Sequence, residues 1–412
     1  MVDQKQPNKC VHSTGGIRPA KRSVSLPKHF LYNEHCPHPP TSAPKGHNAK
    51  RWAAKQSKVT LMELGFHSDK DLDRTILRKG KSISKINSRK LGRSGIEISP
   101  MGLGCWAIGG PFWAGETPLG WGEVDDEESI RAIHAALDLG ITLFDTANVY
   151  GAGHSERVLA RAFAGIRSRV VIATKFNAVF DETTRQVTGS DTSPAGIRAA
   201  CEDSLRRLNT DYIDLYQFHD NDFPPDKAEP VRETLERLVE EGRIRAYGWS
   251  TDYPVRVEVF AQGPKCAAIQ LQLNVMDNNS AVIGLCEKYD LAALNRGPLA
   301  MGLLTDKYSA DTRLAADDVR GKKSPEWMKY FKDGKPNTEW LSKRDAVRQI
   351  LTSNGRSVAQ GALAWLWARS QKTLPIPGFR TVKQVEENAR AMQFGPLTSE
   401  QMRQIDVLLG RT

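Results

Sequence analysis

The sequence lacks long hydrophobic runs, closely spaced cysteine pairs and an export signal. Within its 412 residues no apolar run approaches the roughly 18 residues that a membrane-spanning helix needs, which excludes a helical membrane protein. The six cysteines are scattered and contain no CxxC pair, a usage that fits a reducing compartment better than a disulfide-stabilised secreted domain. No basic segment followed by an apolar stretch opens the chain. We therefore expect a soluble, cytoplasmic protein.

The excess of positive over negative charge is confined to one end of the chain. A net charge of +10 would suggest a nucleic-acid-binding protein if it were spread evenly. Residues 1–88 carry 17 Lys and Arg against 6 Asp and Glu, whereas the remainder carries 41 against 42. The same segment has few large apolar side chains, so we expect a disordered basic extension over 1–88. It has no paired aromatic or arginine-rich motif, and nucleic acid is not an expected partner.

Three interpretations of this extension stay open. Its basic, serine-containing and acid-poor composition is that of an organelle transit peptide, although its His and Pro residues and the missing amphipathic Arg helix weigh against this. It also has metal-capable side chains, but their spacing is not that of a familiar zinc site. These side chains are Cys10, His12, His35, Cys36 and His38. The favoured interpretation is a solvated extension, absent from the product if translation begins at Met62.

From Arg89 onward, short apolar runs alternate with amphipathic stretches. Ser193 followed by Pro194 predicts a helix start, and Gly140, Gly165 and Gly242 predict helix ends. Eight strands are predicted, over residues 99–106, 141–147, 170–176, 212–219, 244–250, 267–274, 291–295 and 373–377. Strict alternation implies a parallel sheet, and eight such units across about 300 residues indicate a closed (β/α)8 TIM barrel over residues 89–412.

A dinucleotide fingerprint competes with this interpretation. The segment Gly102-Leu103-Gly104-Cys105-Trp106-Ala107 fits the pattern GxGxxA directly after a predicted strand. In a doubly wound sheet a helix must open there, because its N-terminus holds the pyrophosphate. The chain instead continues through a glycine- and proline-rich stretch at 108–122 without a helical period. We interpret the match as coincidental.

Four polar side chains follow the ends of three successive predicted strands. Asp145 and Tyr150 follow the second strand, Lys175 lies at the end of the third, and His219 ends the fourth. Functional residues of such barrels lie at the carboxyl ends of the strands, so these four are predicted to share one rim. A tyrosine becomes a proton donor to a developing alkoxide when a neighbouring cation stabilises its phenolate.

Lys175 can supply that cation, and Asp145 can keep the lysine protonated. His219 can hydrogen-bond a carbonyl oxygen and orient it. Each residue alone also has an ordinary structural explanation, such as a barrel ion pair, but their coincidence on three strand ends favours a site. His154 is a rival base that we interpret instead as a cap of the next helix, together with Ser155.

These residues resemble the aldo-keto reductase superfamily in its bacterial-type branch, and the resemblance spans Arg89 to Leu409. It rests on three segments in the same order and spacing. They are Phe144-Asp145-Thr146-Ala147 with Tyr150-Gly151, Ala173-Thr174-Lys175-Phe176, and Asp211-Tyr212-Ile213-Asp214-Leu215-Tyr216-Gln217 with His219. The resemblance implies an oxidoreductase that reduces a carbonyl group or, in reverse, oxidises an alcohol or sugar. It makes Asp145, Tyr150, Lys175 and His219 the catalytic tetrad, with Tyr150 as general acid.

The same resemblance implies a nicotinamide cofactor that lies extended across the barrel mouth. Ser250 and Gln270 match positions that hold the nicotinamide carboxamide, and Arg296 stands where many members place a stacking aromatic ring. The segment 376–381 matches the family's binding site for the adenosine phosphate. Because Arg380 in this segment can bind a phosphate through two parallel hydrogen bonds at a helix start, NADPH is expected rather than NADH. The implied cofactor residues are Ser250, Thr251, Gln270, Arg296, Leu299, Gly302, Gly378, Arg380, Gln384, Glu387 and Asn388.

The substrate is expected to be a small carbonyl compound or sugar. Trp106, Trp113 and Trp121, with Trp249 as a further candidate, provide an aromatic rim compatible with sugar lactols, aromatic aldehydes and ketones. The long charged segment 309–340 is a candidate lid, and no metal is expected. The alternative function is a non-catalytic NADPH-binding barrel, since one branch of the superfamily serves as a regulatory subunit of potassium channels. Turnover of small carbonyl compounds distinguishes the two.

Overall fold

The computed structural model describes residues 88–411, which contain an eight-stranded parallel sheet. Each strand pairs with the strand that follows it in the chain. The strands are β1 Gly102–Gly104, β2 Leu143–Asp145, β3 Val171–Phe176, β4 Ile213–Phe218, β5 Ile244–Ser250, β6 Cys266–Gln272, β7 Ala292–Arg296 and β8 Thr373–Pro375. All eight fall on the predicted runs, and the predicted (β/α)8 barrel is confirmed.

The barrel closes where β8 returns to β1. The Gly104 N–H donates a hydrogen bond to the Pro377 carbonyl at 3.0 Å, and Gly104 forms a parallel bridge with Gly378. A Cβ atom on Gly104 would lie 2.9 Å from the Ile376 carbonyl oxygen. Glycine is therefore required here because the two backbones approach so closely.

Ten α-helices surround the sheet in the described part of the chain. They are α1 Asp126–Asp138, α2 His154–Ala162, α3 Pro194–Leu208, α4 Glu229–Glu240, α5 Pro254–Ala261, α6 Ser280–Lys288, α7 Thr338–Leu351, α8 Val358–Arg369, α9 Val382–Phe394 and α10 Ser399–Leu408. None of them is long and apolar enough to cross a membrane. No α-helix follows β1 directly, since a 3-10 turn at Ala107–Gly109 comes first. The dinucleotide fingerprint is therefore coincidental, as predicted.

The predicted helix boundaries follow from local chemistry. The Ser193 side chain accepts the Gly196 N–H at 3.0 Å, and Pro194 opens α3. Gly140, Gly165 and Gly242 have φ values of +84°, +78° and +72°. Such left-handed backbone is readily adopted by glycine and stops a helix. Ser193, Gly140 and Gly242 therefore act as predicted, whereas α2 already ends at Ala162, before Gly165.

The apolar core has two layers, one inside the barrel and one between the sheet and the helices. Small and branched side chains such as Ala173, Ala246 and Leu294 fill the barrel interior, with an N-terminal hairpin of Arg89–Lys90 and Glu97–Ile98 packed against them through Ile98. Larger residues pack between the sheet and the helices. Polar side chains replace this apolar filling towards the carboxyl ends of the strands, which is where the predicted site lies.

Additional segments lie around the carboxyl ends of the strands. A four-stranded sheet is formed by Trp113–Ala114, Thr117–Pro118, Ala178–Asp181 and Gln186–Ser190. The candidate lid contains no α-helix before α7, only a hairpin of Phe331–Lys332 and Lys335–Pro336. Its Val319 N–H donates to the Gly120 carbonyl at 2.7 Å, so it packs on the loop that follows β1. The predicted extension, apart from Ser88, and its metal-capable side chains lie outside the described residues.

Candidate active site

A buried ion pair lies at the centre of the barrel mouth. Lys175 on β3 is fully buried, and its Nζ lies 2.6 Å from Asp145 Oδ2 at the end of β2. The same ammonium donates to the Thr146 carbonyl at 2.8 Å and to the Tyr150 hydroxyl at 3.3 Å. An ammonium has three N–H donors, and all three are satisfied here. Lys175 is thus held in one position beside Tyr150.

The second oxygen of Asp145 is also occupied. Its Oδ1 accepts hydrogen bonds from Gln217 Nε2 at 3.0 Å and from Gln270 Nε2 at 2.7 Å. These amides come from β4 and β6. Burial alone lowers the pKa of Lys175, but Asp145 and Tyr150 raise it above its ordinary value. The lysine is therefore protonated at neutral pH.

Tyr150 combines a buried hydroxyl with a partly exposed ring. Burial raises the pKa of its hydroxyl above the ordinary value, while the Lys175 ammonium works in the opposite direction. The Trp106 ring stacks on the Tyr150 ring, with centroids 5.8 Å apart. The hydroxyl therefore carries its proton at neutral pH, and the adjacent cation makes loss of that proton easier.

His219 follows β4 and faces the edge of Tyr150, with ring centroids 6.1 Å apart. Burial lowers its pKa from 6.5 to about 3, and the positive charges of Lys175 and Arg296 contribute. The imidazole is therefore neutral at physiological pH and has one N–H donor and one acceptor nitrogen. The structure thus brings the four predicted tetrad residues together on one rim.

The predicted carboxamide residues lie on adjacent strands. Ser250 and Gln270 are register partners on β5 and β6, and both are almost completely buried. Neither the Ser250 hydroxyl nor Gln270 Oε1 is hydrogen-bonded to another residue within 88–411. Thr251 is buried next to them, and its N–H donates to the Gln270 carbonyl at 2.9 Å. Two polar groups with unused hydrogen-bonding capacity fit a polar ligand at this place.

Arg296 at the end of β7 is held by its neighbours. It forms an ion pair with Asp252 and donates to Gln272 Oε1 at 3.1 Å. About one third of its side chain is exposed, at 32%. Leu299 and Gly302 follow on the same strand connection, where Gly302 adopts a φ of +91°. These three predicted residues therefore lie on the β7 side of the mouth.

The predicted phosphate segment lies between β8 and α9. The Arg380 guanidinium donates to the carbonyl oxygens of Trp121, at 3.0 Å, and Glu123. The Arg380 N–H donates to Gln384 Oε1 at 2.7 Å. Arg380 forms no ion pair with any residue that the structure describes. Its positive charge is thus uncompensated by a carboxylate in contact.

The rest of this segment contacts β1 and α8. Gly378 bridges to β1, and Asn388 is buried on α9, at 3% exposure. Glu387 lies one residue earlier, with its carbonyl accepting a hydrogen bond from Gln360 on α8 at 3.0 Å. The predicted cofactor residues therefore divide into two groups, one at the inner strand ends and one at the start of α9.

The aromatic rim differs in part from the prediction. Trp106 contacts Trp121 edge to face at 5.4 Å, and it contacts Trp327 of the candidate lid at 6.2 Å. Trp113 lies in the four-stranded sheet and makes no ring contact with this cluster among the described residues. Trp249 is fully buried in the layer between sheet and helices and cannot line the mouth. Ser250 takes the inward position on β5, which turns its neighbour Trp249 outward.

Sequence reasoning missed Gln217 and Trp327. A glutamine in the strand Ile213–Phe218 was a usable signal, because alternation places it on the same face as the apolar Leu215 inside the barrel. Trp327 lies in an irregular charged segment that offers no periodic signal. His154 opens α2 after a Gly153 cap and binds Asp126 at 2.8 Å, so the expected cap role is wrong.

Comparison with known proteins identifies the family of this chain. The profile of the Aldo/keto reductase family matches residues 100–409. The aldo-keto reductase YhdN of Bacillus subtilis is 34% identical over 334 residues, which cover 77% of this chain and 92% of that protein. The chain therefore belongs to the aldo/keto reductase family, and it is an oxidoreductase that uses a nicotinamide cofactor.

Two solved structures extend this comparison. A glycerol dehydrogenase, AKR11B4 from Gluconobacter oxydans, is 34% identical with a TM-score of 0.66, over 80% of this chain and 96% of that chain. An aldo/keto reductase from Klebsiella pneumoniae in complex with NADP and acetate is 25% identical with a TM-score of 0.58, over 79% of this chain and 97% of that chain. The similarity thus covers the whole barrel.

Proposed function

We propose that this protein reduces the carbonyl group of a small aldehyde, ketone or sugar with NADPH, and that Tyr150 donates the proton. The observation that carries this proposal is the Lys175 ammonium, which is fully buried and contacts the Tyr150 hydroxyl at 3.3 Å. Asp145 balances the charge of the lysine at 2.6 Å. This arrangement stabilises a phenolate, and it contains no activated nucleophile.

The chemistry follows from the state of each group. Bound NADPH supplies a hydride to the carbonyl carbon. The neutral imidazole of His219 donates a hydrogen bond to the carbonyl oxygen, which orients the substrate. As negative charge develops on that oxygen, Tyr150 transfers its hydroxyl proton to it. The resulting phenolate is stabilised by Lys175, and Tyr150 regains a proton from water after the alcohol leaves.

Preference for NADPH is proposed from Arg380. A guanidinium has five N–H donors, and its two bonds to the Trp121 and Glu123 carbonyls leave three for an anion. The absence of an ion pair between Arg380 and any residue in 88–411 leaves its charge available to a phosphate. The NADP named in the Klebsiella pneumoniae complex supports the same choice. We propose Gln384, Glu387 and Asn388 as neighbouring contacts to the adenosine end.

The substrate class is proposed from the aromatic mouth and from the relatives. Trp106, Trp121 and Trp327 offer flat apolar surface beside Tyr150. The name of the glycerol dehydrogenase relative makes small polyols worth testing in the oxidising direction. The assay is cofactor absorbance with NADPH or NADH against aldehydes, ketones and sugars, and with NADP+ against glycerol. Tight NADPH binding without turnover would favour the regulatory alternative.

Tyr150→Phe tests the proton donor. The variant loses only the hydroxyl, so we expect reduction to fall by roughly 10²- to 10⁴-fold while NADPH binds nearly as before. Stopped-flow absorbance and a fluorescence titration measure the two effects separately. Undiminished turnover would remove Tyr150 from the mechanism.

We also propose that residues 1–88 are a dispensable basic extension of a cytoplasmic enzyme. A chain that begins at residue 89 is then expected to fold and turn over like the full-length protein. Loss of folding in that shorter chain would contradict the proposed domain division.

A further inference from the structure

Gln217 lies inside the barrel between the proposed catalytic and cofactor residues. It is fully buried on β4, in register with Lys175 on β3 and with Gly248 on β5. A buried amide requires hydrogen-bond partners. The partners of Gln217 show what it does.

Two glutamine amides converge on one carboxylate oxygen. Gln217 Nε2 and Gln270 Nε2 lie 3.0 and 2.7 Å from Asp145 Oδ1. Gln270 Nε2 also lies 3.3 Å from Gln217 Oε1. An ionised carboxylate only accepts hydrogen bonds, so each amide must present its nitrogen to Asp145. The orientation of both amides is therefore fixed by the charge of Asp145.

This triangle has two consequences. With Lys175 on Oδ2 and two amides on Oδ1, the Asp145 carboxylate has a single well-defined orientation. That orientation places the lysine beside Tyr150. The same contacts hold Gln270 Nε2 in the barrel interior. Gln270 Oε1 therefore remains as the atom that can accept a hydrogen bond from a nicotinamide carboxamide.

We propose that Gln217 is a positioning residue that aligns both Asp145 and Gln270. The inference deepens the proposed function and rests on it. Through Asp145, Gln217 keeps the Lys175 ammonium at the Tyr150 hydroxyl. Through Gln270, it keeps an acceptor oxygen facing the nicotinamide. One side chain thereby links the geometry of proton transfer to the geometry of cofactor binding.

The first test is Gln217→Met in the full-length protein. Methionine has a similar length and no hydrogen-bonding amide, so Asp145 loses one donor and Gln270 loses its neighbour. We expect kcat to fall roughly 10- to 100-fold, the range for one hydrogen bond to a charged group, and the Kd for NADPH to rise several-fold. Carbonyl KM is expected to change least, because Gln217 does not reach the mouth.

The second test is Gln217→Glu, which gives a pH signature. The charged or titratable groups around this position are Asp145 on β2, Tyr150 after it, Lys175 on β3, His219 after β4 and Arg296 on β7. Burial and the negative charge of Asp145 raise the pKa of the introduced carboxyl, against the opposing effect of the Lys175 ammonium on the neighbouring strand. Protonated, it can donate to Asp145 as the amide does, and ionised, it repels Asp145. Activity near the wild-type level at low pH, lost as pH rises, is therefore expected.

A matched control separates positioning from folding. Gln401→Met removes a glutamine that caps α10 and bonds Ser353 at 2.8 Å, away from the barrel mouth. It should keep wild-type kcat and Kd. Unchanged kcat, Kd and pH profile in both Gln217 variants would overturn the inference. If Gln217→Met fails to fold, the pH profile of Gln217→Glu decides, and a profile parallel to wild type overturns the inference.

The proposed function can fail independently of the inference about Gln217. If the wild-type protein binds NADPH without turning over any carbonyl compound, the proposed reaction is wrong. The Kd for NADPH then tests the inference alone: a raised Kd in Gln217→Met supports alignment of Gln270, and an unchanged Kd contradicts it.

Discussion

The inner and outer ends of the site are built in opposite ways. At the inner end, Asp145 and Lys175 are buried, and each of their polar atoms has a partner in a single arrangement. At the outer end, Arg380 donates to the carbonyls of Trp121 and Glu123 on the protein surface. Buried charges permit few alternative arrangements, whereas surface contacts exchange readily with water or ligand.

This difference fits the different tasks that we propose for the two ends. In the proposed mechanism, the inner end is preorganised for proton transfer, since its groups need no rearrangement when charge develops. The outer end would exchange or share existing hydrogen bonds on receiving the phosphate that we propose it binds. We therefore expect substitutions at the inner end to change kcat most, and substitutions at the outer end to change cofactor affinity.

The strongest test of this comparison is Lys175→Met. Removal of the ammonium leaves the Asp145 charge buried without its ion-pair partner, so the free energy of unfolding should fall by about 3–5 kcal/mol. Turnover should fall by roughly 10²- to 10⁴-fold, because the Tyr150 phenolate loses its stabilising cation. Urea unfolding and steady-state kinetics measure the two effects.

A double variant separates charge balance from catalysis. Lys175→Met with Asp145→Leu removes both charges, so we expect stability to recover only in part while turnover stays low, because the Gln217 and Gln270 amides lose their acceptor on Asp145. If Lys175→Met alone keeps turnover within a factor of about ten, below the range of general acid catalysis, the preorganised inner end is not what drives the reaction.

The next test concerns the outer end. Arg380→Ala should weaken NADPH binding by roughly 10- to 100-fold, the value of a hydrogen bond to a charged group, and NADH binding far less. Because Arg380 also anchors the loop carrying Trp121, the carbonyl KM should rise with either cofactor. Isothermal titration and kinetics with both cofactors provide these values.

Arg390→Ala is the matched control, on the helix α9 that follows Arg380. Arg390 is 62% exposed and lies 3.8 Å from Glu386, a surface pair of little energetic weight. It should leave both cofactor affinities unchanged. An equal loss of binding affinity for NADPH and for NADH in Arg380→Ala would mean that the phosphate is bound elsewhere.

The two ends also differ in how far sequence reasoning reached. The four inner residues were predictable because strand ends in a barrel share one rim. The bounds of some strands were predictable as well, since β5 spans the predicted residues Ile244–Ser250. The contact of Arg380 with Trp121 joins residues 259 positions apart and has no local signal. β1 is shorter than predicted, at Gly102–Gly104, because the chain turns into a 3-10 segment soon afterwards.

Trp327 illustrates the same limit within the mouth. Its approach to Trp106 depends on how the long segment before α7 packs, including the hydrogen bond from Val319 to Gly120. No periodicity encodes that packing. Trp249 is the opposite case. It was a candidate for the rim, although strand alternation opposite the inward Ser250 is a signal that places it in the outer layer.

The smallest expected effect is the pH dependence of stability at His219, where the inner end meets the mouth. The pKa of His219 is about 3 in the folded protein, below its ordinary 6.5. The unfolded chain therefore takes up a proton below pH 6.5 that the folded protein refuses, and stability is lost as pH falls towards 3. Between pH 7 and pH 5 the partly exposed ring should account for a loss of about 1 kcal/mol. His219→Gln should lack this loss, so urea unfolding of both proteins at the two pH values isolates it. Parallel changes in the two proteins would mean that His219 protonates in the folded state, and its role as a neutral donor to the carbonyl oxygen would then be wrong.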